Sequence, residues 1–220
     1  MTAHSRSVED FLKAVYSIQQ SSVERASTNA LAEALNILPP SVTDMARRMA
    51  DAGFVDYRRY YGVKLTEDGR RLALRVIRRH RLIELYLVEH LGYALHEVHD
   101  EAERLEHAVS DRFVDAIETR LGNPTVDPHG DPIPTADGEI TVPKLTPLSE
   151  LKIGDKARVS RYRAMNDDML QFILERGFTL GTEVLIKAKD PFEGPITAQL
   201  DAQEQVIGHG IAYAILVEPL

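Results

Sequence analysis

Residues 38–69, LPPSVTDMARRMADAGFVDYRRYYGVKLTEDG, decide the fold. Proline is tolerated in a first helical turn because the N–H it lacks would have no intrahelical partner there. Pro39 and Pro40 therefore mark the opening of a helix that runs from about Pro40 to about Ala52. Gly53 is placed to end it, since glycine alone enters the left-handed region without cost. The segment after it reads as two short strands joined by a tight turn near Tyr61 and Gly62. Upstream, residues 8–19 set Val8, Phe11, Leu12, Val15, Tyr16 and Ile18 at helical spacing. Thr28 is placed to cap a short second helix carrying Leu31, Ala32 and Leu35, which Asn36 and the two prolines close. Helix, short helix, turn, helix, hairpin is the order of a winged helix-turn-helix, a module that reads duplex DNA.

Working outward, residues 66–92 form one long helical stretch and residues 94–121 a second. The second has Val98, Ala102, Leu105, Val109, Phe113, Val114 and Ile117 as its apolar stripe. Two such helices need a partner surface, and a homodimer is the economical one. Residues 122–149 hold six prolines and little periodicity, as a linker or extended loop does. The remainder turns to strand character at 156–162, 182–189, 196–200 and 211–218, with a helical turn or two at 168–176. A small β-barrel follows from that pattern. The expected class is mainly α with a small β domain. The expected divisions are a winged helix-turn-helix over 1–72, a helical metal-binding and dimerisation domain over 73–140, a linker over 141–149, and a β domain over 150–220.

Composition narrows the function. With 44% hydrophobic and 27% charged residues the chain is ordinary globular material. No apolar run is long enough to span a membrane, and the charged N-terminus does not read as a signal peptide, so a cytoplasmic location is expected. Cysteine is absent, which excludes disulfides and thiolate metal sites. The net charge of −8 is unevenly spread. Residues 1–72 carry 10 basic against 9 acidic side chains, 73–149 carry 8 against 14, and 150–220 carry 8 against 11. Steering to DNA depends on the local field, so the acidic middle does not exclude a DNA-binding N-terminal region.

That acidic middle contains the chemistry. His99, Glu103, Glu106 and His107 follow i, i+4, i+7, i+8 spacing and share one helical face, while His80 and Glu84 share a face of the preceding helix. A single glutamate is ordinarily a solvated surface residue. Two histidines and two glutamates on one face, with a second His/Glu pair nearby, point instead to a metal. Carboxylate and imidazole without sulfur suit Mn(II), Fe(II) or Zn(II). His90, His96, His129 and His209 read as ordinary surface or loop histidines. On the DNA side, Pro39 and Pro40 open the recognition helix, and Ser41, Thr43 and Asp44 near its start suit base edges or phosphates. Asp44 could only accept hydrogen bonds, for example from a cytosine amino group. Arg48, and Arg58, Arg59 and Lys64 of the wing, suit phosphates. Tyr57, Tyr60 and Tyr61 are divided between phosphate contact and wing packing.

Several stretches together resemble the diphtheria toxin repressor family of iron- and manganese-dependent regulators. They are VEDFLKAVY, LPPSVTDMARRMADAGFV, YYGVKLTEDGRRLA, RRHRLIELYL, VHDEAERLEHAVSD and HGDPIP. MNDDMLQFILERGFTLGTEV and DPFEGPITAQL resemble the SH3-like, FeoA-type third domain of its longer members. The resemblance implies a regulatory metal site of Asp10, Glu103, Glu106 and His107. It also implies an ancillary site of His80, Glu84 and His99 with one ligand from the third domain. Asn166, Asp167 and Asp168 are the choices there, and Asp168 is preferred. Iron-responsive members carry methionine at the Asp10 position and cysteine at the Glu103 position; carboxylates at both favour Mn(II), with Fe(II) next. Some manganese regulators have a glutamate where this chain has Lys13, so two separated ions are expected rather than a close pair. The family tends to carry glutamine at the Asp44 position, which implies a different operator. The implied function is a homodimeric repressor of metal-uptake genes on palindromic double-stranded operator DNA, gripped when a metal joins Asp10 to the dimerisation helices. A metal-dependent hydrolase using the Glu/His face is the reading from a different class, although no HExxH, GxSxG or Walker A pattern accompanies it.

Overall fold

The computed structural model describes residues 5–21, 25–163, 166–201 and 203–220. The chain divides into two compact units drawn from alternating segments. Met1–Ile83, Glu103–Ile117 and Ile133–Ile140 make the first, and Glu84–Ala102, Glu118–Pro132 and Thr141–Leu220 the second.

In the first unit, α1 (Arg6–Ser21) buries Phe11, Leu12, Val15 and Tyr16, the stripe its spacing called for. The short α2 (Thr28–Ala34) is capped by Ser27, whose Oγ accepts from Ala30 N at 3.1 Å. Thr28 is thus the first helical residue rather than the cap. Helix α3 (Pro39–Asp51) has its prolines at the first two positions and buries Val42, Ala46 and Met49. Gly53 follows at φ +82°. Strands β1 (Val55–Arg58) and β2 (Gly62–Leu65) pair antiparallel, Val55 opposite Leu65 and Arg58 opposite Gly62. A bridge from Ala26 to Val63 fastens the hairpin to the segment before α2. Phe11, Leu31, Val42, Val63 and Leu74 are among the fully buried members of one core, to which α4 (Glu67–Leu91) contributes Leu72 to Leu74 and Ile77.

The helix expected over 94–121 is two helices, α5 (Val98–Leu105) and α6 (Asp111–Arg120). Ala108 N and Val109 N both turn back to Leu105 O, at 2.9 and 3.1 Å, which closes α5. Ser110 then opens α6, its Oγ accepting from Phe113 N at 3.3 Å. A serine followed by aspartate is a starting signal that outweighs the apolar periodicity running through it. Glu106 and His107 consequently lie in a turn, not on a continued helical face.

The second unit holds a six-stranded antiparallel sheet. Its strands are β3 (Thr146–Pro147), β4 (Lys156–Tyr162), β5 (Glu183–Lys189), β6 (Ile196–Leu200), β7 (Gln203–Ile207) and β8 (Ile215–Pro219), in the order β3–β8–β4–β5–β6–β7. Helix α7 (Asp167–Glu175) packs Leu170 and Ile173 into the sheet's core beside Phe178, Ile186 and Ile215. The strand expected over 211–218 begins only at Ile215, because α8 (His209–Ala214) precedes it, with Ala212 N bonded to Gly208 O at 3.0 Å. Strand β7, QEQVI, had no apolar alternation to reveal it; it is an edge strand, where polar residues are the rule. The proline-rich stretch contains a built turn. Buried Asp127 accepts from His129 N at 2.8 Å and Asp131 N at 2.9 Å, and Val126 bridges to Pro132. Among the described residues no helix is long and apolar enough to cross a membrane.

Gly62 has φ +99°, and a Cβ there would lie 2.3 Å from the Ala26 carbonyl oxygen. Gly62→Ala therefore strains the backbone and opens the Ala26–Val63 bridge. We expect a loss of about 2 kcal/mol or more in urea unfolding, whereas Gly53→Ala, with open space around it, costs less.

Candidate metal centre and DNA-facing surface

In the first unit α1 and the α5–α6 turn bring three ligand-type side chains together: Asp10, Glu106 and His107. The imidazole of His107 is held from both sides. Its Nδ1 lies 2.7 Å from Glu9 Oε2, and its Nε2 lies 2.8 Å from Asp10 Oδ1 and 3.2 Å from Glu106 Oε1. Asp10 Oδ1 and His107 Nε2 are both buried, and neither forms a hydrogen bond among the described residues. Two carboxylate oxygens and an imidazole nitrogen converge here, a donor set suited to a cation. Adjacent ligands of an octahedral ion with bonds of about 2.1 Å stand about 3 Å apart, close to these separations. The residues fit a divalent metal of the Mn(II), Fe(II) or Zn(II) kind.

Burial lifts the Asp10 carboxyl above its ordinary value; His107 and Arg6 oppose this, while Glu103 and Glu106 add to it. Glu9 is also buried and lies 3.7 Å from Arg79, which in turn donates to Asp111 at 2.7 Å. The Arg79 bond holds the Asp111 carboxyl below its usual range. Glu9 and Arg79 were not singled out by sequence. Glu9 could have been, as an acid lying within the apolar stripe of α1.

The other expected ligands have partners of their own. His80, assigned by resemblance to an ancillary site, donates from Nδ1 to Glu106 Oε2 at 2.6 Å. Glu103 accepts from Lys13 Nζ at 2.7 Å, and Lys13 also reaches both oxygens of Glu106. In the second unit Glu84 is buried, with His99 Nδ1 at 3.3 Å and His129 Nε2 at 3.9 Å from its Oε1. His129, read from sequence as an ordinary loop histidine, thus stands beside an expected ligand, brought there by the Asp127 turn. Asp168 is exposed in the first turn of α7, which Asn166 caps by accepting from Met169 N at 2.9 Å. Among the described residues Asp168 belongs to no group of three ligand-type side chains.

The DNA-reading candidates fall on α3 and the hairpin. Pro39, Pro40, Ser41, Asp44 and Arg48 are exposed on α3. Asp44 is 3.7 Å from Arg47, and Thr43 Oγ1 donates back to Pro39 O at 3.2 Å. On the hairpin Arg58, Arg59 and Lys64 are exposed, and the Arg59 guanidinium lies 4.9 Å from the centre of the Tyr60 ring. Tyr57 packs against the core, whereas Tyr60 and Tyr61 are 88% and 76% exposed. The tyrosines therefore split between packing and surface.

Comparison with known proteins adds to this geometry. Residues 4–63 match the iron dependent repressor N-terminal DNA binding domain, 66–135 the iron dependent repressor metal binding and dimerisation domain, and 146–219 the FeoA domain. The diphtheria toxin repressor of Corynebacterium glutamicum is 30% identical over 221 residues, covering 96% of this chain and 95% of its own. The iron-dependent repressor IdeR of Mycobacterium tuberculosis is 29% identical over 223 residues, covering 96% of each. Among solved structures, a manganese-dependent transcriptional repressor in complex with manganese is 39% identical with a TM-score of 0.86. That alignment covers 97% of this chain and 100% of the other.

Two outcomes follow from the Glu9–His107–Asp10 arrangement. Glu9→Gln should weaken metal binding about 10- to 100-fold in a competition titration, because the partner that orients the imidazole and enriches its basicity is lost. For Asp10, a carboxyl raised in the folded state contributes stability that is full below its ordinary value of 3.8 and lost as pH rises through the raised value. Asp10→Asn should therefore raise the Tm of chelator-treated protein at pH 7, the gain disappearing as pH falls below that window. A lower Tm at pH 7 would contradict the reading.

Proposed function

The chain belongs to the diphtheria toxin repressor family of metal-dependent, DNA-binding transcriptional repressors, and on that premise we propose that it is a Mn(II)-activated repressor of metal-uptake genes. The family is one of DNA-binding regulators and not of enzymes, so the Glu/His cluster serves sensing rather than hydrolysis. The observation that carries the proposal is the convergence of Asp10 Oδ1, Glu106 Oε1 and His107 Nε2. Asp10, Glu106 and His107 hold the ion, and Glu103 is the remaining carboxylate of the set. An all-oxygen-and-nitrogen donor set favours hard Mn(II) over softer competitors. Fe(II) is the second reading, favoured by the iron-dependent relatives of similar length. The ancillary set is His80, Glu84 and His99, with Asp168 the third-domain candidate and His129 a further one.

When bound, the ion would supply positive charge to this donor set. The chain's own residues do the rest. Asp10 belongs to the helix on which the DNA-reading module is built, while Glu106 and His107 belong to the metal-binding region. Drawing the three together fixes the pose of α1 and, through its packed core, of α3. In a homodimer the two recognition helices then sit at the spacing of successive major grooves, about 34 Å or a multiple, and read a palindromic operator. Ser41, Thr43 and Asp44 face base edges, with Pro39 and Pro40 setting the helix start. Arg48, Arg58, Arg59 and Lys64 lie against phosphates. Such a protein works in the cytoplasm, where its operator is.

Fluorescence anisotropy on DNA from upstream of its own gene, with Mn(II), with Fe(II) under anaerobic conditions and with chelator, tests this. Metal should tighten binding, and by reciprocity the operator should tighten metal binding by the same factor, commonly about 5- to 150-fold. Asp10→Ala should remain a folded dimer whose DNA binding ignores metal; a full Mn(II) response by that variant overturns the scheme. Arg48→Ala should weaken binding alike on all sequences and reduce the salt slope by about 1.

A further inference from the structure

The first unit carries a cation of its own where its acid is densest. Lys13 lies one turn after Asp10 on α1. Its Nζ is 2.7 Å from Glu103 Oε2 and 2.9 and 3.0 Å from the two oxygens of Glu106. His80 Nδ1 is 3.4 Å away, with its own proton directed to Glu106. Glu106 is fully buried and Lys13 partly so, its side chain 19% exposed. A buried carboxylate persists only if paired and hydrogen-bonded, and an ammonium with three N–H donors can serve several acceptors at once.

Glu106 stands between two positions. One oxygen accepts from Lys13 and also lies 3.2 Å from His107 Nε2, on the Asp10 side. The carboxylate oxygens of Glu103 and Glu106, on the other side, are what a second divalent ion would need. We infer that Lys13 is a tethered cation standing in the place of a second metal ion, so that this unit takes a single ion at Asp10, Glu106 and His107. The inference rests on the metal reading above and adds to it the number of ions and what sets that number. The ammonium occupies the oxygens of the second position and repels a cation placed there. It also holds Glu103 and Glu106 in place whether or not metal is supplied. The acid brought to α1 is thus partly neutralised by the chain itself, leaving one position for the environment to fill.

The test is Mn(II) binding by the full chain, read by ions per chain at saturation and by electron paramagnetic resonance. Lys13→Glu restores a carboxylate at the position. Lys13→Gln, neutral and of similar length, keeps the question open to measurement if the glutamate variant fails to fold. Wild type should show the six-line signal of isolated Mn(II). Lys13→Glu should gain one ion per chain and an exchange-coupled signal from a close pair, and Lys13→Gln should gain the ion with lower affinity. A coupled signal from wild type overturns the inference, as does an ion count that neither substitution raises. Failure of the metal reading itself looks different: wild type then binds no Mn(II) that Asp10→Ala removes, which overturns both.

Discussion

Four carboxylates, Glu9, Asp10, Glu103 and Glu106, are gathered where α1 meets the α5–α6 turn, and their mutual repulsion is the constraint on which the first unit depends. Two like charges 4 Å apart repel by about 4 kcal/mol at an effective dielectric near 20. A cluster of four at partly buried positions would therefore cost more than a domain's usual margin of stability. The chain answers with a specific cation or donor for most of them. Arg79 and His107 face Glu9, Lys13 faces Glu103 and Glu106, and His80 donates to Glu106. Asp10 is left with Arg6 at 3.6 Å, more than half of whose side chain is in solvent, and with His107 Nε2 at 2.8 Å. Compensation is therefore least complete at Asp10.

The break between α5 and α6 serves the same end. Had the helix continued, Glu106 and His107 would follow Glu103 along one face at fixed separations. Ending α5 at Leu105 lets the next two residues address different partners: Glu106 turns to Lys13 and His80, and His107 turns to Glu9 and Asp10. A turn costs the backbone hydrogen bonds that a helix would have kept, and here Leu105 O accepts twice while Ser110 starts the ladder again.

Much of this was readable in advance. The α1 stripe, the prolines opening α3, Gly53, the wing and strands β4 and β6 follow from local rules that act within a few residues of the chain. The coincidence of His99, Glu103, Glu106 and His107 was visible as spacing, and Asp10 joined it only through family resemblance, because nothing local connects residue 10 to residue 107. Contacts of long sequence separation account for the rest. Glu9, Arg79 and Lys13 acquire their roles from partners far along the chain, and His129 is carried to Glu84 by a turn built around a buried aspartate. The helix break and α8 escaped because capping chemistry at single residues overrode an apolar pattern that read smoothly across them. Strand β7 escaped for the opposite reason, since an edge strand needs no apolar face to be recognised by its neighbour.

Glu9 and Asp10 are consecutive, and in an α-helix consecutive side chains diverge by about 100° around the axis. Yet one meets Nδ1 of His107 and the other Nε2. A single imidazole is therefore gripped at opposite edges by two neighbouring residues of one helix. Sliding α1 along its length would move both acids together, but rolling it would carry one acid toward the ring and the other away. The pair thus acts as a torsional stop, and the quantity it governs is the rotational setting of α1 about its own axis.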